Sequence, residues 1–267
     1  MNLLIDIGNT SLRWALFPSG QDGNGLGPMS AVRHGRAVPP DLLAAWESLE
    51  PPERVLIGNV GGAAVGEAVA RVIRAYWGCE PEFAQTRQDC LGLRVAYPEP
   101  ERLGVDRWLA LLAAHGHCAQ SASGIAAALV VDVGTAATFD CLAPGGLHLG
   151  GLILPGIAMM RDSLLAGTHI PHGEPEPAPE PWATDTGAAV TTGSLHALAA
   201  LAERVHQRLW ERLSVTAGVQ TPPPALLLTG GDAPSIAPLI ARPLELVPDL
   251  VLRGLARLTP GHGVAWP

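Results

Sequence analysis

The sequence predicts an α/β protein of two lobes, residues 1–118 and 119–267, each a mixed β-sheet flanked by helices. The chain of 267 residues is 48% apolar and 16% charged, which is typical of a globular protein able to bury two modest cores. One pattern occurs in both halves: an apolar strand ends in Asp-x-Gly and a short turn, and a second strand follows. It appears at Asp6 and at Asp132, which favours a duplicated lobe.

The first half alternates between strand and helix patterns. Residues 3–17 have the pattern of two apolar strands folded about a Gly-Asn-Thr turn, and a Gly-rich loop at 18–28 follows. A later apolar run, at 54–60, predicts a buried strand. Apolar residues at helical spacing predict three helices, at 39–49, 63–77 and 102–118.

The second half contains the repeated strand pattern and one long helix. Two apolar strands are predicted at 126–132 and 136–142, and a helix at 184–213. The segment 170–182 is rich in Pro and Glu, so we expect a surface loop there. A further strand at 225–228 leads into Thr229-Gly230-Gly231.

Charge and composition exclude several function classes. The net charge of −8 argues against a nucleic-acid partner, because such proteins neutralise phosphates with basic side chains. The sequence contains no lysine, which excludes a P-loop lysine and a Schiff-base lysine. No apolar run approaches the roughly 20 residues that span a bilayer, and no basic region precedes an apolar stretch at the N-terminus. We therefore expect a cytoplasmic protein with no membrane partner.

Glycine turns at strand ends are the strongest chemical signal. A strand that ends in a carboxylate followed by a Gly turn places an acid beside exposed backbone N–H groups, which suits a metal-bound nucleotide phosphate. Each of the turns at Asp6 and Asp132 would by itself fit an ordinary hairpin, since Asp, Gly and Asn are usual turn residues. Together with Thr229-Gly230-Gly231, they favour a phosphate-binding function.

Five motifs, in order and spacing over nearly the whole chain, resemble those of type III pantothenate kinases. They are Asp6-Ile7-Gly8-Asn9-Thr10, Leu103-Gly104-Val105-Asp106-Arg107, Asp132-Val133-Gly134-Thr135-Ala136-Ala137-Thr138, Gly150-Gly151-Leu152-Ile153-Leu154-Pro155-Gly156 and Thr229-Gly230-Gly231. The resemblance implies two actin-like (ribonuclease H-like) lobes with the nucleotide in the cleft between them. It also implies ATP-dependent phosphorylation of pantothenate to 4'-phosphopantothenate, the first step of coenzyme A biosynthesis.

The resemblance also implies where ATP and its cations bind. ATP would bind with Mg²⁺, and a monovalent cation, K⁺ or NH₄⁺, would be linked to the carboxylate of Asp132. Arg13 stands where many family members carry lysine. Thr135 belongs to the second phosphate turn, and the first comprises Asp6, Ile7, Gly8, Asn9, Thr10, Ser11, Leu12 and Arg13.

Pantothenate contacts follow from the same resemblance. It assigns the role of general base to Asp106, and substrate contacts to Tyr97, Gly104, Val105, Asp106, Arg107 and Thr186. A carboxylate can accept the hydroxyl proton as the bond to phosphorus forms, and an arginine can pair with a substrate carboxylate through two hydrogen bonds. From the residues alone, Asp106 also fits an ordinary acid at a helix start and Arg107 a solvated charge.

Two other functions stay open at this point. One is a regulatory or DNA-associated protein on the same fold, against which the acidic balance and the lack of a helix-turn-helix pattern weigh. The other is an actin-like kinase for a sugar or short acid, which should lack the segment from Tyr97 to Arg107 as written here. The resemblance finally implies a homodimer, with helices of the C-terminal lobe at its centre.

Overall fold

The computed structural model describes residues 1–18, 25–35, 37–120, 126–170, 176–178 and 180–259. The chain folds as two compact units. The first comprises the residues up to Gln120 and the segment from Asp249 onward, and the second runs from Ser121 to Pro248. The predicted boundary between residues 118 and 119 lies close to the first division. The segment after Asp249, in contrast, groups with the first unit, where the two-lobe expectation had put it in the second.

The first unit is built on a five-stranded mixed sheet. Its elements are β1 (Asn2–Ile7), β2 (Ser11–Phe17), β3 (Ser30–Arg33), α1 (Pro40–Glu47), β4 (Arg54–Asn59), α2 (Ala63–Trp77), β5 (Glu82–Phe83), β6 (Asp89–Cys90), β7 (Leu93–Arg94) and α3 (Val105–Gln120). The sheet order is β3-β2-β1-β4-β5, with β1 antiparallel to β2 and parallel to β4. The short strands β6 and β7 pair as an antiparallel hairpin.

Apolar burial explains why these segments form this unit. Every residue of β1 is buried, which suits a central strand covered on both faces. Trp46 of α1 is fully buried and contacts the rings of Trp14 and Trp77, with ring centroids 6.2 and 5.5 Å away. Helix α2 ends at Gly78, whose φ of 65° is the left-handed conformation that glycine adopts at helix ends.

The second unit repeats this design. Its elements are β8 (Ala128–Val133), β9 (Ala136–Ala143), β10 (Leu147–Pro155), α4 (Ile157–Ala166), α5 (Thr186–Ala217), β11 (Ala225–Thr229), α6 (Ala233–Ile236) and β12 (Glu245–Leu246). Within this unit the strands run in the order β10-β9-β8-β11-β12. Strand β8 is antiparallel to β9 and parallel to β11. Helix α7 (Leu250–Arg257) comes after these elements in the chain but belongs to the first unit, where it packs on α3.

The strand order confirms the predicted duplication and the fold class of two mixed sheets flanked by helices. Strands β8, β9, β10, β11 and β12 take the places of β1, β2, β3, β4 and β5, with the same order and the same strand directions. Parallel strands β1 and β4 end at the same edge of their sheet, and so do β8 and β11. In each unit, the turn that follows the first strand (β1 or β8) therefore lies beside the end of the neighbouring parallel strand (β4 or β11).

Most predicted elements are confirmed within a few residues, and α2 matches at both ends. Helix α3 starts at Val105 instead of 102, because Pro100–Arg102 forms a separate 3-10 turn and Leu103 is extended. The elements without a predicted counterpart are strands β3 and β10, the two-residue strands β5, β6, β7 and β12, and helices α4, α6 and α7. Glycines interrupt the apolar pattern of β10, where the register shifts between His148 and Gly150.

Two predicted loops fall partly outside the described residues. Positions 19–24 of the Gly-rich loop and 171–175 and 179 of the Pro/Glu-rich segment lie there. The described part of the latter, 176–178 and 180–182, contains neither helix nor strand. In the part of the chain that the structure describes, no helix is both long enough and apolar enough to cross a bilayer.

Candidate active site

The first predicted phosphate turn connects β1 to β2 at the carboxyl end of β1. Asp6 and Arg13 are register partners across this hairpin, and Arg13 Nη1 lies 3.9 Å from Asp6 Oδ2. Asp6 is 7% exposed, whereas Asn9 and Thr10 at the tip are exposed. The turn therefore combines a nearly buried carboxylate, a neighbouring guanidinium and an open backbone tip.

Two residues of the predicted turn have side chains that cannot contact a ligand. The side chains of Ile7 and Leu12 are fully buried in the core of the first unit. Only their backbone groups can therefore face a ligand. The hairpin closes through Gly8 N–H, which donates to Ser11 O at 2.9 Å.

A glycine loop after β4, which was not among the predicted site segments, lies against this turn. The N–H groups of Val60 and Gly61 both donate to Ile7 O, at 2.9 and 3.1 Å. A Cβ on Gly61 would meet Gly8 O at 2.5 Å, so only glycine allows this approach. The Asn59 side chain holds the loop by accepting from Gly61 N–H at 3.0 Å. The signal was the Gly61-Gly62 pair directly after a predicted strand.

The predicted pantothenate segment lies at the start of α3. Asp106 is in the first turn of this helix, where the exposed N–H groups favour a negative charge. Its Oδ1 accepts from Arg107 N–H at 2.8 Å, and a Cβ on Gly104 would meet the same oxygen at 2.6 Å. Gly104 therefore leaves room for the carboxylate in this orientation.

Arg107 and Tyr97 are brought together next to Asp106. Arg107 is 7% exposed, and its Nη1 donates to the hydroxyl of Tyr97 at 3.3 Å. Its Cζ lies 5.9 Å from the centroid of the same ring. The alternative of a solvated Arg107 is thus wrong, because the side chain is nearly buried. Burying a guanidinium costs free energy unless the protein supplies partners, and Tyr97 is one of them.

The second unit brings three predicted motifs to one place. Asp132 is the register partner of Thr229 across β8 and β11. Gly230, with φ of 95°, packs so closely that a Cβ there would meet Val133 O and Asp132 Oδ1. On the other side of the turn, Gly156 N–H donates to Thr135 O at 2.9 Å. The second turn is therefore enclosed by the glycines that follow β10 and β11.

Thr186 is the first residue of α5, a helix of 32 residues. The preceding Asp185 caps this helix, with Oδ1 accepting from Ala188 N–H at 3.0 Å. Thr186 itself is exposed. The predicted site residues thus fall into two groups. The first unit holds those from Asp6 to Arg13, Tyr97 and the residues from Gly104 to Arg107, and the second holds Asp132, Thr135 and Thr186.

The donor chemistry fits the expected cations. Among the residues that the structure describes, no three His, Cys, Asp or Glu side chains are grouped closely enough to hold a metal. Mg²⁺ needs no such group, because it binds through one or two carboxylates, substrate phosphates and water. Gly230 packs directly against Asp132 Oδ1 and Val133 O, and carboxylate and carbonyl oxygens are ligands that suit K⁺.

Comparison with known families gives a consistent result. The family model of type III pantothenate kinase matches residues 2–208. The type III pantothenate kinase of Nitrosococcus oceani is 38% identical over 261 residues, which cover 97% of this chain and 93% of that protein. The enzyme of the same description from Alkalilimnicola ehrlichii is 35% identical and covers 98% of both chains.

A solved structure supports the fold. The crystal structure of a Baf family transcriptional activator from Campylobacter jejuni superposes with a TM-score of 0.56. It shares 20% sequence identity and covers 96% of each chain. At this level of identity, the similarity concerns the fold alone.

Proposed function

The chain belongs to the type III pantothenate kinase family, and we propose that it uses Asp106 as the general base when it phosphorylates pantothenate with ATP. This reaction is the first step of coenzyme A biosynthesis. The observation that carries the assignment is the grouping of Asp106, Arg107 and Tyr97 at the start of α3. Asp106, a proton acceptor, lies beside the nearly buried cation of Arg107. Pantothenate has a hydroxyl that must lose a proton and a carboxylate that a cation can bind, so the pair suits this substrate.

In the proposed mechanism, Asp106 takes the proton of the pantothenate hydroxyl as that oxygen forms its bond to the γ-phosphorus. The bond between the γ-phosphorus and the bridging oxygen breaks, and ADP leaves with the electron pair. Arg107 N–H holds Asp106 Oδ1, so the carboxylate has a defined orientation before the substrate arrives. Positioning is the main contribution a protein makes to phosphoryl transfer.

Arg107 binds the pantothenate carboxylate in this proposal. Its planar guanidinium can pair with a carboxylate through two hydrogen bonds, and Tyr97 limits its rotation through the hydrogen bond and the ring contact. A preorganised guanidinium loses less conformational entropy on binding than a mobile one. Thr186, exposed at the start of α5, supplies a further hydroxyl contact to the substrate.

The two Gly turns bind the phosphates of ATP. In the first, the backbone from Asp6 to Arg13 follows the phosphate chain, with Arg13 providing positive charge. In the second, Thr135 is exposed at the tip between β8 and β9. Asp6 would hold Mg²⁺, which supplies charge neutralisation at the phosphates. The carboxylate of Asp132 would hold K⁺ or NH₄⁺ beside the second turn, where Val133 O also lies.

We further propose a homodimer in the cytoplasm, where ATP is abundant. The second unit exposes large apolar side chains on two adjoining elements: Leu152 and Ile153 on β10, and Met159 and Leu164 on α4. Such a concentration of exposed apolar side chains is typical of an interaction surface. A second copy of the chain is the partner that the family resemblance implies.

An ADP-release assay with a panel of hydroxyl acceptors tests the proposed function. We expect turnover with pantothenate and near-background rates with hexoses, with a requirement for Mg²⁺ and a strong increase when K⁺ or NH₄⁺ replaces Na⁺. Equal turnover with glucose would exclude the pantothenate assignment. Indifference to every monovalent ion would remove the role of Asp132 while leaving the substrate assignment in place.

A further inference from the structure

His34 joins the end of β3 to the first phosphate turn by two hydrogen bonds. Its ring Nε2 lies 2.9 Å from Gly8 O, and its backbone N–H donates to Thr10 O at 3.0 Å. A carbonyl oxygen can only accept, so Nε2 carries the hydrogen in this contact. His34 is 7% exposed, which holds the ring in one place. One residue therefore spans the turn and binds the carbonyls on both sides of Asn9.

The carbonyl of Gly8 is enclosed from two sides. His34 donates to it, and Gly61 approaches so closely that a Cβ there would meet it at 2.5 Å. Gly8 N–H is already engaged with Ser11 O. With both polar groups of Gly8 bound by the protein, the peptide that joins Gly8 to Asn9 has a fixed orientation. Its N–H, which belongs to Asn9, then points in a defined direction.

We propose that His34 is a positioning residue for ATP. By holding the carbonyls of Gly8 and Thr10, it keeps the turn in the conformation that presents its N–H groups to the phosphates. Backbone amides that are oriented in advance bind an anion without the cost of ordering the loop. The inference rests on the proposed binding of ATP by the turn from Asp6 to Arg13. It assigns no proton transfer to His34 and no contact with pantothenate.

The chain offers a matched control. His206, in the second unit, is 3% exposed, and its Nε2 also donates to a backbone carbonyl, Pro224 O at 2.8 Å. His206 lies on α5, far along the helix from Thr186. Replacing either histidine with asparagine removes one hydrogen bond from an imidazole to a backbone carbonyl. Only the His34 bond belongs to the phosphate turn.

The test compares His34→Asn with His34→Gln in the full-length enzyme. The glutamine amide nitrogen can reach the position of Nε2, whereas the asparagine side chain is too short. We expect His34→Asn to raise KM for ATP by about tenfold, which is within the usual effect of losing one such hydrogen bond. KM for pantothenate should stay within about twofold, and His34→Gln should restore most of the ATP affinity. Calorimetric titration with ATP gives an independent measure.

Three outcomes would overturn the proposal. The first is an unchanged KM for ATP in a folded His34→Asn enzyme. The second is general damage, seen either as an equal rise in both KM values or as a similar loss of ATP affinity in His206→Asn. The third is a His34→Gln enzyme no better than His34→Asn. Asp6→Asn separates this failure from that of the proposed function: if it too leaves ATP binding unchanged, the turn itself is not the ATP site.

Discussion

The guanidinium of Arg107 donates to the hydroxyl of Tyr97 at 3.3 Å and lies with its Cζ 5.9 Å from the centroid of the same ring. One aromatic side chain thus supplies both an acceptor and an aromatic contact to a nearly buried cation. The two residues are ten positions apart, on either side of the 3-10 turn Pro100–Arg102. Their contact restricts the rotation of the Arg107 side chain.

The first prediction separates the two contributions of Tyr97. Tyr97→Phe keeps the ring but removes the acceptor, so Arg107 gains rotational freedom. We expect KM for pantothenate to rise by about three- to tenfold, the worth of one typical intramolecular hydrogen bond, with a smaller change in kcat. Steady-state kinetics measure this. Tyr76→Phe, at the only other tyrosine of the chain, is the control and should behave as wild type.

The second prediction distinguishes proton transfer from nucleotide binding. Asp106→Asn keeps the shape of the side chain but cannot take a proton, so kcat should fall by about 10² to 10⁴ while ATP binding stays nearly intact. Asp6→Asn should weaken binding of Mg²⁺ with ATP as well as turnover. Calorimetric ATP titration and steady-state rates on both variants are needed. An active Asp106→Asn enzyme that no longer binds ATP would reverse the two roles.

The third prediction concerns Gly230 beside Asp132. Both Gly230 and Gly218 have positive φ, 95° and 68°, but a Cβ meets other atoms within 4 Å only at Gly230. Gly218→Ala should cost about 1 kcal/mol of unfolding free energy for the left-handed backbone alone. Gly230→Ala should cost clearly more and reduce activation by K⁺, because the new methyl group displaces Val133 O or Asp132. Chemical denaturation and rates with K⁺ and Na⁺ test this. Equal destabilisation of both variants would contradict it.

The fourth prediction is a pH dependence of stability. Burial, reinforced by the positive charge of Arg242, lowers the pKa of His206 below its usual value near 6.5, despite the opposing bond to Pro224 O. Between this lowered pKa and about 6.5, the unfolded chain binds more protons than the folded one, so stability falls as pH decreases through that window. His206→Gln keeps a donor for Pro224 O but does not titrate. Its unfolding free energy should fall less than that of wild type between about pH 7 and 5.

A second histidine, His115, also contributes to the pH dependence of stability. Burial also lowers the pKa of His115, next to the charge of Arg257, so part of the acid destabilisation should remain in His206→Gln. Parallel curves for wild type and His206→Gln over the whole range would show that His206 does not contribute.

The fifth prediction tests the proposed dimer surface. Ile153 on β10 is 62% exposed and Val219 after α5 is 66% exposed, so the two positions offer a similar substitution. Ile153→Glu places a charge in the proposed apolar interface and should give monomers at micromolar concentration, whereas Val219→Glu should stay dimeric. Sedimentation velocity measures both. A wild-type monomer would remove the dimer proposal, and a dimeric Ile153→Glu enzyme would place the interface elsewhere.

Local sequence patterns predicted the two Gly hairpins of the candidate site. The hairpin around Gly8 and its repeat around Gly134 follow from apolar alternation interrupted by turn residues, which are interactions between near neighbours. Helix α3 starts three residues later than predicted, because Pro100 begins a separate 3-10 turn that helical spacing of apolar residues does not reveal. Strand β10 escaped prediction because its glycines and register shift break the alternation on which strand patterns depend.

By itself, the sequence determined the two duplicated sheets, the family and the residues at the tips of the two Gly turns. Those properties depend on short-range periodicity and on motifs read in order along the chain. Only the tertiary structure decided that His34 holds Gly8, 26 positions away, and that Gly156 and Gly230 enclose the turn after Asp132. Strand register and backbone packing create these contacts between distant segments. Neither a histidine nor a glycine carries, in its local sequence, a signal of the carbonyl it will meet.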